Sequence, residues 1–368
     1  MTAPGDATAQ TRWIAAEALG RRVSALLGQW GLSPDSAEAA AGVLVQADLF
    51  GIQSHGVNML KVYETYRNDG RIALRPEPRL ERSTPVSAVI DADGGLGHLP
   101  SLMAVDEAVS RARETGVGIV AVRNSHHYGA AGIYALKIAE AGLIGLSFTN
   151  VGTSSIVPTR GLQAMFGTNP IAFGAPAARN RPFLLDIATS TAAIGKMLVA
   201  QRAGRPIPPV WATDASGEPV TDPTVALADR RLLPVGGAEE TTGGHKGYGL
   251  AMMVEILTAT LAGASFAPLR DPARKTMDVG HSFMAIDPGL FREREDFLAD
   301  MDAMMESLRA TPRRDPDLPV LVHGDKEYAL EADRLQRGIP FAPDQIAQLA
   351  GLFERAGLVF PDGEEAPA

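Results

Sequence analysis

Apolar residues recur at helical spacing along the first fifty positions. Trp13, Ala16, Leu19, Val23, Leu26 and Leu27 follow one another at roughly one helical turn until Gly31 ends the pattern. A second helix is predicted to open at Ser33. Its hydroxyl serves as N-cap, Pro34 takes the first helical position where a missing N–H costs nothing, and Asp35 sits at the positive end of the dipole. From Val86 the texture changes. SAVIDADG (87–94), GVGIVAVRN (116–124) and LIGLSFTN (143–150) are short β-rich runs, and LMAVDEAVSRARETG (102–116) and AAGIYALKIAEAG (130–142) between them keep a helical period. The pattern predicts an α/β or α+β chain, with RPEPRLERSTP (75–85) as a connector.

Residues 204–237 are rich in turn formers and predict an excursion over the surface or under a substrate site. An apolar helix, GLAMMVEILTATLAGA (249–264), follows. Phe297, Met301, Met304, Met305 and Leu308 share one helical face, a stripe that points to core packing or a subunit contact. The first twelve residues, MTAPGDATAQTR, predict a disordered lead-in, and the final GEEAPA a frayed tail.

Composition narrows the function classes. The chain has 368 residues, 45% hydrophobic and 21% charged, enough for two or three domains with their own cores. A formal net charge of -9 argues against nucleic acid as a partner, because that affinity rests on clustered Lys and Arg. No apolar run reaches membrane-spanning length and the N-terminus lacks the shape of a signal peptide, so the expectation is a cytoplasmic protein without a membrane partner. The absence of cysteine removes disulfides, thiolate metal sites and thiol nucleophiles.

The chemistry lies with few residues. Seven histidines, at 55, 98, 126, 127, 245, 281 and 323, form no HExxH or similar spacing, so no metal site is expected. GGLGHLPS (94–101) is the nearest approach to a dinucleotide fingerprint, but it lacks the third glycine and reads as a plain turn; GxSxG is absent as well. What remains is five polar clusters at the edges of apolar segments: SHG (54–56), NSHHYGAAG (124–132), FGTNPIAFGAP (166–176), LLDIATS (184–190) and GGHKGYGL (243–250). Small residues and hydrogen-bonding side chains together let a flat polar ligand approach the backbone. Each cluster alone has a plainer account, as a helix-end histidine, a turn before Pro170, or a cap at Asp186.

Together they resemble the type-2 malate/L-lactate dehydrogenase family. ADLFGIQSHGVNML resembles its first signature, VRNSHHYGAAGIYALKIAEAGLIGLSFTN the second and FGTNPIAFGAPAARNRPFLLDIATSTAAIGKM the third; PVWATDASGEPVTDP, LLPVGG, GGHKGYGLAMMVEILTATLAGA and GHSFMAIDPGLF continue in the same order. The resemblance spans about residues 15–345. It implies an α+β, non-Rossmann fold: a helical domain over 1–80, completed by C-terminal helices in 328–368, and a nicotinamide-cofactor and substrate domain over 81–327 built on a largely antiparallel sheet. It also implies NAD or NADP as cofactor, with NAD ahead, and a homodimer with the active site near the interface.

Residue roles follow from the same resemblance. His55 matches the acid/base that exchanges a proton with the substrate, with Ser54 and Asp186 as relay partners; His127 matches a second histidine beside substrate and nicotinamide, which holds the acid/base role in some members. Tyr63 falls on a substrate position. His127, Tyr128, Gly129, Thr168, Asn169, Asp186, Ile187, Ala188, Gly324 and Asp325 fall where the family contacts its cofactor, although HGDKE at 323–327 departs from the usual Pro-Gly-Glu. Lys246 and its neighbouring glycines either serve the site or permit close packing. Met59 is the larger departure, standing where most members carry an arginine for the substrate carboxylate. On a continuous helix residues 55, 59 and 63 would share one face, so an apolar Met59 predicts a larger or more apolar substrate than malate, or another cation, Arg160 being a candidate. Three functions are compatible with these residues: interconversion of a 2-oxo and a 2-hydroxy acid, reduction of a cyclic imine or N-substituted imino acid, and metabolite binding by a catalytically inactive regulator.

Overall fold

The computed structural model describes residues 11–361, and the expected lead-in up to residue 10 and the GEEAPA tail lie outside them. The chain divides into two compact units, one of residues up to 69 and from 325 onward, the other of residues 70–324.

The first unit is helical. After a short strand β1 (Arg12–Ile14) come α1 (Ala16–Gln29), α2 (Pro34–Leu49) and α3 (Leu60–Asn68). The helix signals at Ser33 operate as the sequence predicts: its hydroxyl accepts from the Ser36 N–H, with Pro34 and Asp35 in the first turn. Leu19, Val23, Leu26 and Leu27 of α1 and Leu44 of α2 are fully buried, each contributing roughly 1.5–3 kcal/mol by leaving water.

The second unit holds a seven-stranded sheet. Its elements are β2 (Arg79–Ser83), β3 (Ser87–Asp91), α4 (His98–Thr115), β4 (Val117–Ser125), α5 (Ala131–Glu140), β5 (Ile144–Thr149), β6 (Ile171–Ala175), β7 (Phe183–Ile187), α6 (Ile194–Arg202), α7 (Pro223–Asp229), α8 (Gly244–Glu255), β8 (Val279–Ile286) and α9 (Arg294–Arg309). The strand order is β2-β3-β4-β8-β5-β6-β7, parallel only at β3–β4 and antiparallel at every other pair. Helices lie close on this sheet because glycine faces them. A Cβ on Gly118 of β4 would stand 2.0 Å from the Ala108 carbonyl of α4, and one on Gly174 of β6 would stand 2.5 Å from the Ala135 carbonyl of α5.

The chain then returns to the helical unit with α10 (Asp325–Arg337), β9 (Ile339–Phe341) and α11 (Pro343–Arg355); β9 pairs antiparallel with β1. Among the described residues no helix is long and apolar enough to cross a membrane.

One feature corrects the sequence reading and two refine it. The expected connector 75–85 contains β2, an edge strand whose residues, RLERS, are all exposed. A strand with no buried face carries no period-two signal, and its charges protect the open edge from pairing with another chain. The turn-rich excursion contributes to a core of its own, in which Ile156, Phe166, Met197, Ile207, Ala212 and Leu232 are buried together. The methionine stripe of α9 splits: Met301 and Met305 are buried, while Met304 and Leu308 are about half exposed.

Candidate active site

The SHG segment is a loop between helices. Helix α2 ends at Leu49, Gly51 takes a left-handed φ of 79°, and helical geometry resumes at Val57 as a 3-10 turn (Val57–Met59) leading into α3. His55 therefore does not share a helical face with Met59 and Tyr63. The i, i+4, i+8 argument fails because the chain turns over residues 51–56. Tyr63 is fully buried, whereas Met59 is half-buried. On the loop itself, Ser54 Oγ lies 2.9 Å from His55 Nδ1, and the His55 N–H donates to the Ile52 carbonyl at 2.9 Å. Burial holds the imidazole below its ordinary value, so it is neutral at pH 7.

A residue that the sequence reading missed holds this loop in place. Asp48, in the last turn of α2, is fully buried and its Oδ2 accepts the Val57 N–H at 2.9 Å. Its Oδ1 has no hydrogen-bond partner and lies against Gly56, where a Cβ would come within 1.9 Å of it. The glycine of SHG is thus required by the carboxyl beneath it. Arg334 donates to the Asp48 backbone carbonyl, and burial pushes the Asp48 carboxyl up to about 7. An acid in an Ala-rich helix next to a turn reads in sequence as an exposed polar residue, and no spacing signal marks it otherwise.

The other candidates gather on three loops of the sheet unit. His127, Tyr128 and Gly129 join β4 to α5; Thr168 and Asn169 precede β6; Asp186 and Ile187 end β7, with Ala188 next. Hydrogen bonds tie the loops together. Asp186 Oδ2 accepts the Gly132 N–H at 2.7 Å in the first turn of α5, where a carboxylate suits the positive end of the helix. Thr189 donates its N–H to the Thr168 carbonyl at 2.9 Å and its hydroxyl to the Asn169 carbonyl at 3.1 Å. His127, Thr168, Asp186 and Ala188 are partly exposed and Ile187 more so.

The side chains of Tyr128 and Asn169 are turned into the protein. The Tyr128 ring is buried, stacked on His281 at 4.4 Å and on Tyr134 at 4.8 Å, with its hydroxyl 3.2 Å from Ser147 Oγ. Asn169 is fully buried and its amide donates to the Ala251 carbonyl at 3.0 Å and to Glu255 Oε2 at 2.8 Å. Behind the His127 loop, His281 lies between Thr149 Oγ1 at 2.7 Å and Ser125 Oγ at 2.9 Å. Burial lowers His98, His126 and His281 to about 3, so all three are neutral packing and hydrogen-bonding groups.

The remaining candidates fall as follows. Gly324 has φ 103° and follows His323, whose carbonyl accepts the Leu184 N–H of β7; Asp325 begins α10 in the helical unit. Lys246 is exposed in the first turn of α8, and Gly247 packs with its Cα against Val235, where a Cβ would stand 2.1 Å from a carbonyl. Arg160 is a surface residue paired with Glu240 at 2.8 Å. Among the described residues no group of three or more His, Asp or Glu is arranged to hold a metal ion.

Comparison with known proteins accounts for this arrangement. The family model described as malate/L-lactate dehydrogenase matches residues 14–350. The chain belongs to the malate/L-lactate dehydrogenase family. A malate dehydrogenase of Pyrococcus abyssi is 40% identical over 335 residues, 90% of this chain and 92% of the relative. The crystal structure of malate dehydrogenase from Entamoeba histolytica superimposes with a TM-score of 0.91 at 31% identity, covering 96% of this chain and all of that one. Δ1-piperideine-2-carboxylate reductase from Pseudomonas syringae pvar. tomato superimposes with a TM-score of 0.83 at 30% identity, covering 93% and 100%. Membership in the malate/L-lactate dehydrogenase family makes the chain a dehydrogenase and explains the missing GxGxxG: the sheet that carries the candidate loops is almost wholly antiparallel.

Proposed function

We propose that this chain is an NAD(P)-dependent oxidoreductase that interconverts a 2-oxo acid and a 2-hydroxy acid by hydride transfer, on a substrate larger or more apolar than malate. The observation that carries the reading is the Ser54–His55 pair, with its hydroxyl 2.9 Å from Nδ1 and its imidazole neutral at pH 7. In reduction the imidazolium passes its Nε2 proton to the oxygen of a carbonyl as hydride reaches that carbon, and the ring is left neutral with Ser54 Oγ holding its Nδ1 side. In oxidation the bare ring nitrogen takes the same proton back. Asp186 keeps the relay role that the resemblance gives it, and His127 is the competing acid/base.

A nicotinamide dinucleotide supplies the hydride when bound. The three tied loops fit such a group: partly exposed His127, Thr168, Asp186, Ile187 and Ala188 offer side-chain contacts, while Tyr128, Gly129, Asn169 and Gly324 offer backbone. Asp325 completes the proposed set, with NAD ahead of NADP. Half-buried Met59, in place of an arginine, supports the more apolar substrate.

Loss of nicotinamide absorbance tests the reading, with NADH and NADPH in parallel against pyruvate, oxaloacetate, 2-oxoglutarate and phenylpyruvate, each with and without methylamine. Turnover without amine, with phenylpyruvate ahead of oxaloacetate in kcat/KM, is expected. Turnover only with amine would replace the carbonyl by an imine, a reading that the structural likeness to Δ1-piperideine-2-carboxylate reductase supports. Oxaloacetate as the better substrate would refute the role given to Met59.

A further inference from the structure

One buried carboxylate of the sheet unit lies behind the candidate loops. Glu255 closes α8 and is 5% exposed; the chain passes directly from it into a π-helical turn, Ile256–Thr260. Its two oxygens take one amide each. Oε1 accepts from Asn150 Nδ2 at 2.9 Å and Oε2 from Asn169 Nδ2 at 2.8 Å. The second hydrogen of each amide is committed as well, that of Asn150 to the Ser265 carbonyl at 3.1 Å and that of Asn169 to the Ala251 carbonyl at 3.0 Å. An amide nitrogen only donates, so the group between these two must accept at both ends, which a carboxylate does and a glutamine does not. Burial raises the Glu255 carboxyl, and these two bonds draw it part of the way back.

The two asparagines differ in what they hold. Asn150, at the end of β5, is fixed to Gly280 of β8: its N–H donates to the Gly280 carbonyl at 3.3 Å and its Oδ1 accepts the Gly280 N–H at 2.9 Å. It is an anchor in the sheet. Asn169 is the strained partner. Its φ is 29°, a sign that residues other than glycine rarely adopt, and Pro170 follows it and restricts its backbone further. Such a conformation persists only where the surroundings over-determine it. For the Asn169 side chain those surroundings are Ala251 and Glu255, one turn apart on α8. Its backbone leads on to the next loop, because the Thr189 hydroxyl donates to the Asn169 carbonyl at 3.1 Å and the Thr189 N–H to the Thr168 carbonyl at 2.9 Å. A shift at Asn169 therefore reaches Thr168 and Ala188 together.

We propose that Glu255 is a positioning residue for the nicotinamide cofactor: acting through Asn169, its carboxylate holds the Thr168–Asn169 and Ala188–Thr189 loops in the geometry that receives the dinucleotide. This deepens the proposed function and rests on it for the identity of the ligand, while the anchoring of the loops stands on the hydrogen bonds themselves.

The test uses the full chain and the variants Glu255→Gln, Asn169→Gly and the two combined, with Asp302→Asn as control. Asp302 is also a buried carboxylate that ties a loop, accepting the Arg179 and Asn180 N–H groups in the turn between β6 and β7, at the far end of those strands from the candidate loops. Amide hydrogen exchange over residues 166–170 and 188–191, the unfolding temperature, Kd for NADH and NADPH, and steady-state kinetics are measured for each. Glu255→Gln sets donor against donor and is expected to speed exchange in both segments, to weaken the preferred cofactor about tenfold and to raise its KM equally, with kcat little changed. Asn169→Gly accepts the positive φ but lacks the amide; it should weaken the cofactor to a similar extent, and adding Glu255→Gln to it should weaken it no further. Asp302→Asn should lower the unfolding temperature and leave cofactor affinity unchanged. Unchanged exchange in Glu255→Gln would overturn the proposal, as would faster exchange with cofactor affinity intact, an equal further loss on adding it to Asn169→Gly, or a loss of the same size in Asp302→Asn. Should Glu255→Gln fail to fold, Asn169→Gly carries the test, and unaltered exchange and cofactor affinity in it would overturn the proposal. If the natural chain binds neither NADH nor NADPH, the functional reading fails, and hydrogen exchange alone decides whether Glu255 holds the loops.

Discussion

Replacing Asp48 by Asn should make the protein more stable at alkaline pH than the natural chain. The carboxyl is buried with one oxygen on the Val57 N–H and the other without a partner, and burial moves it from 3.8 to about 7. The folded state therefore holds a proton that the unfolded chain releases between those two values. Stability falls as pH rises through that window, and the full penalty, about 4 kcal/mol, applies above it. Asparagine is neutral throughout and keeps an acceptor for Val57, but its amide donors face Gly56 without a partner, which costs about 1–3 kcal/mol. The variant is thus expected to be the less stable form near pH 4 and the more stable one at pH 8. The difference between the two proteins should change by about 3 kcal/mol from pH 5 to pH 8. Urea unfolding of both at intervals across that range measures it, and the other titrating groups cancel in the comparison. A difference that stays constant with pH would refute the reasoning, because it would mean that Asp48 titrates alike in the folded and unfolded chain.

Other consequences concern the same loop and the sheet unit. Gly56→Ala drives a Cβ into Asp48 Oδ1 at a nominal 1.9 Å and should cost about 1–3 kcal/mol with a fall in kcat, read by denaturation and steady-state kinetics; unchanged values would show that the loop relaxes freely. Ser54→Ala removes the partner of His55 Nδ1 and should lower kcat about tenfold without altering cofactor affinity. Because burial lowers His55, the oxidative rate, which needs the bare ring, should rise with pH to a plateau, and the reductive rate should decline through the same region, at lower pH than for an exposed histidine. His98, His126 and His281 are lowered to about 3, so the unfolded chain binds protons that the fold refuses: stability should fall as pH drops from 6.5 toward 3, and His281→Gln should flatten that slope.

Local structure was legible wherever a side chain's own chemistry decides the backbone. The Ser33-Pro34 cap, the period of α1 and the β-rich runs of β3, β4 and β5 could be read directly, since capping and burial patterns act over a few residues. Pairings between distant segments were not, as β1 with β9 shows: two three-residue strands carry too little pattern to announce a partner more than three hundred residues away. Strand β2 escaped because all of its residues face solvent. The candidate loops were visible as small-residue clusters, but Tyr128 and Asn169 turned out to bury their side chains, and Asp48 gave no signal because a buried acid is spelled like an exposed one. The helical face drawn through residues 55, 59 and 63 failed at Gly51, where a positive φ ends the helix before the histidine is reached.

The central claim is that His55 carries the proton that accompanies hydride transfer. Its most direct test is the turnover of His55→Ala beside His127→Ala on the best 2-oxo acid, with cofactor binding measured in both. The account predicts a loss of about a hundredfold or more in kcat for His55→Ala, cofactor affinity intact, and a smaller loss for His127→Ala. Unimpaired turnover by His55→Ala, with activity lost only in His127→Ala, would contradict it and move the chemistry to the sheet unit.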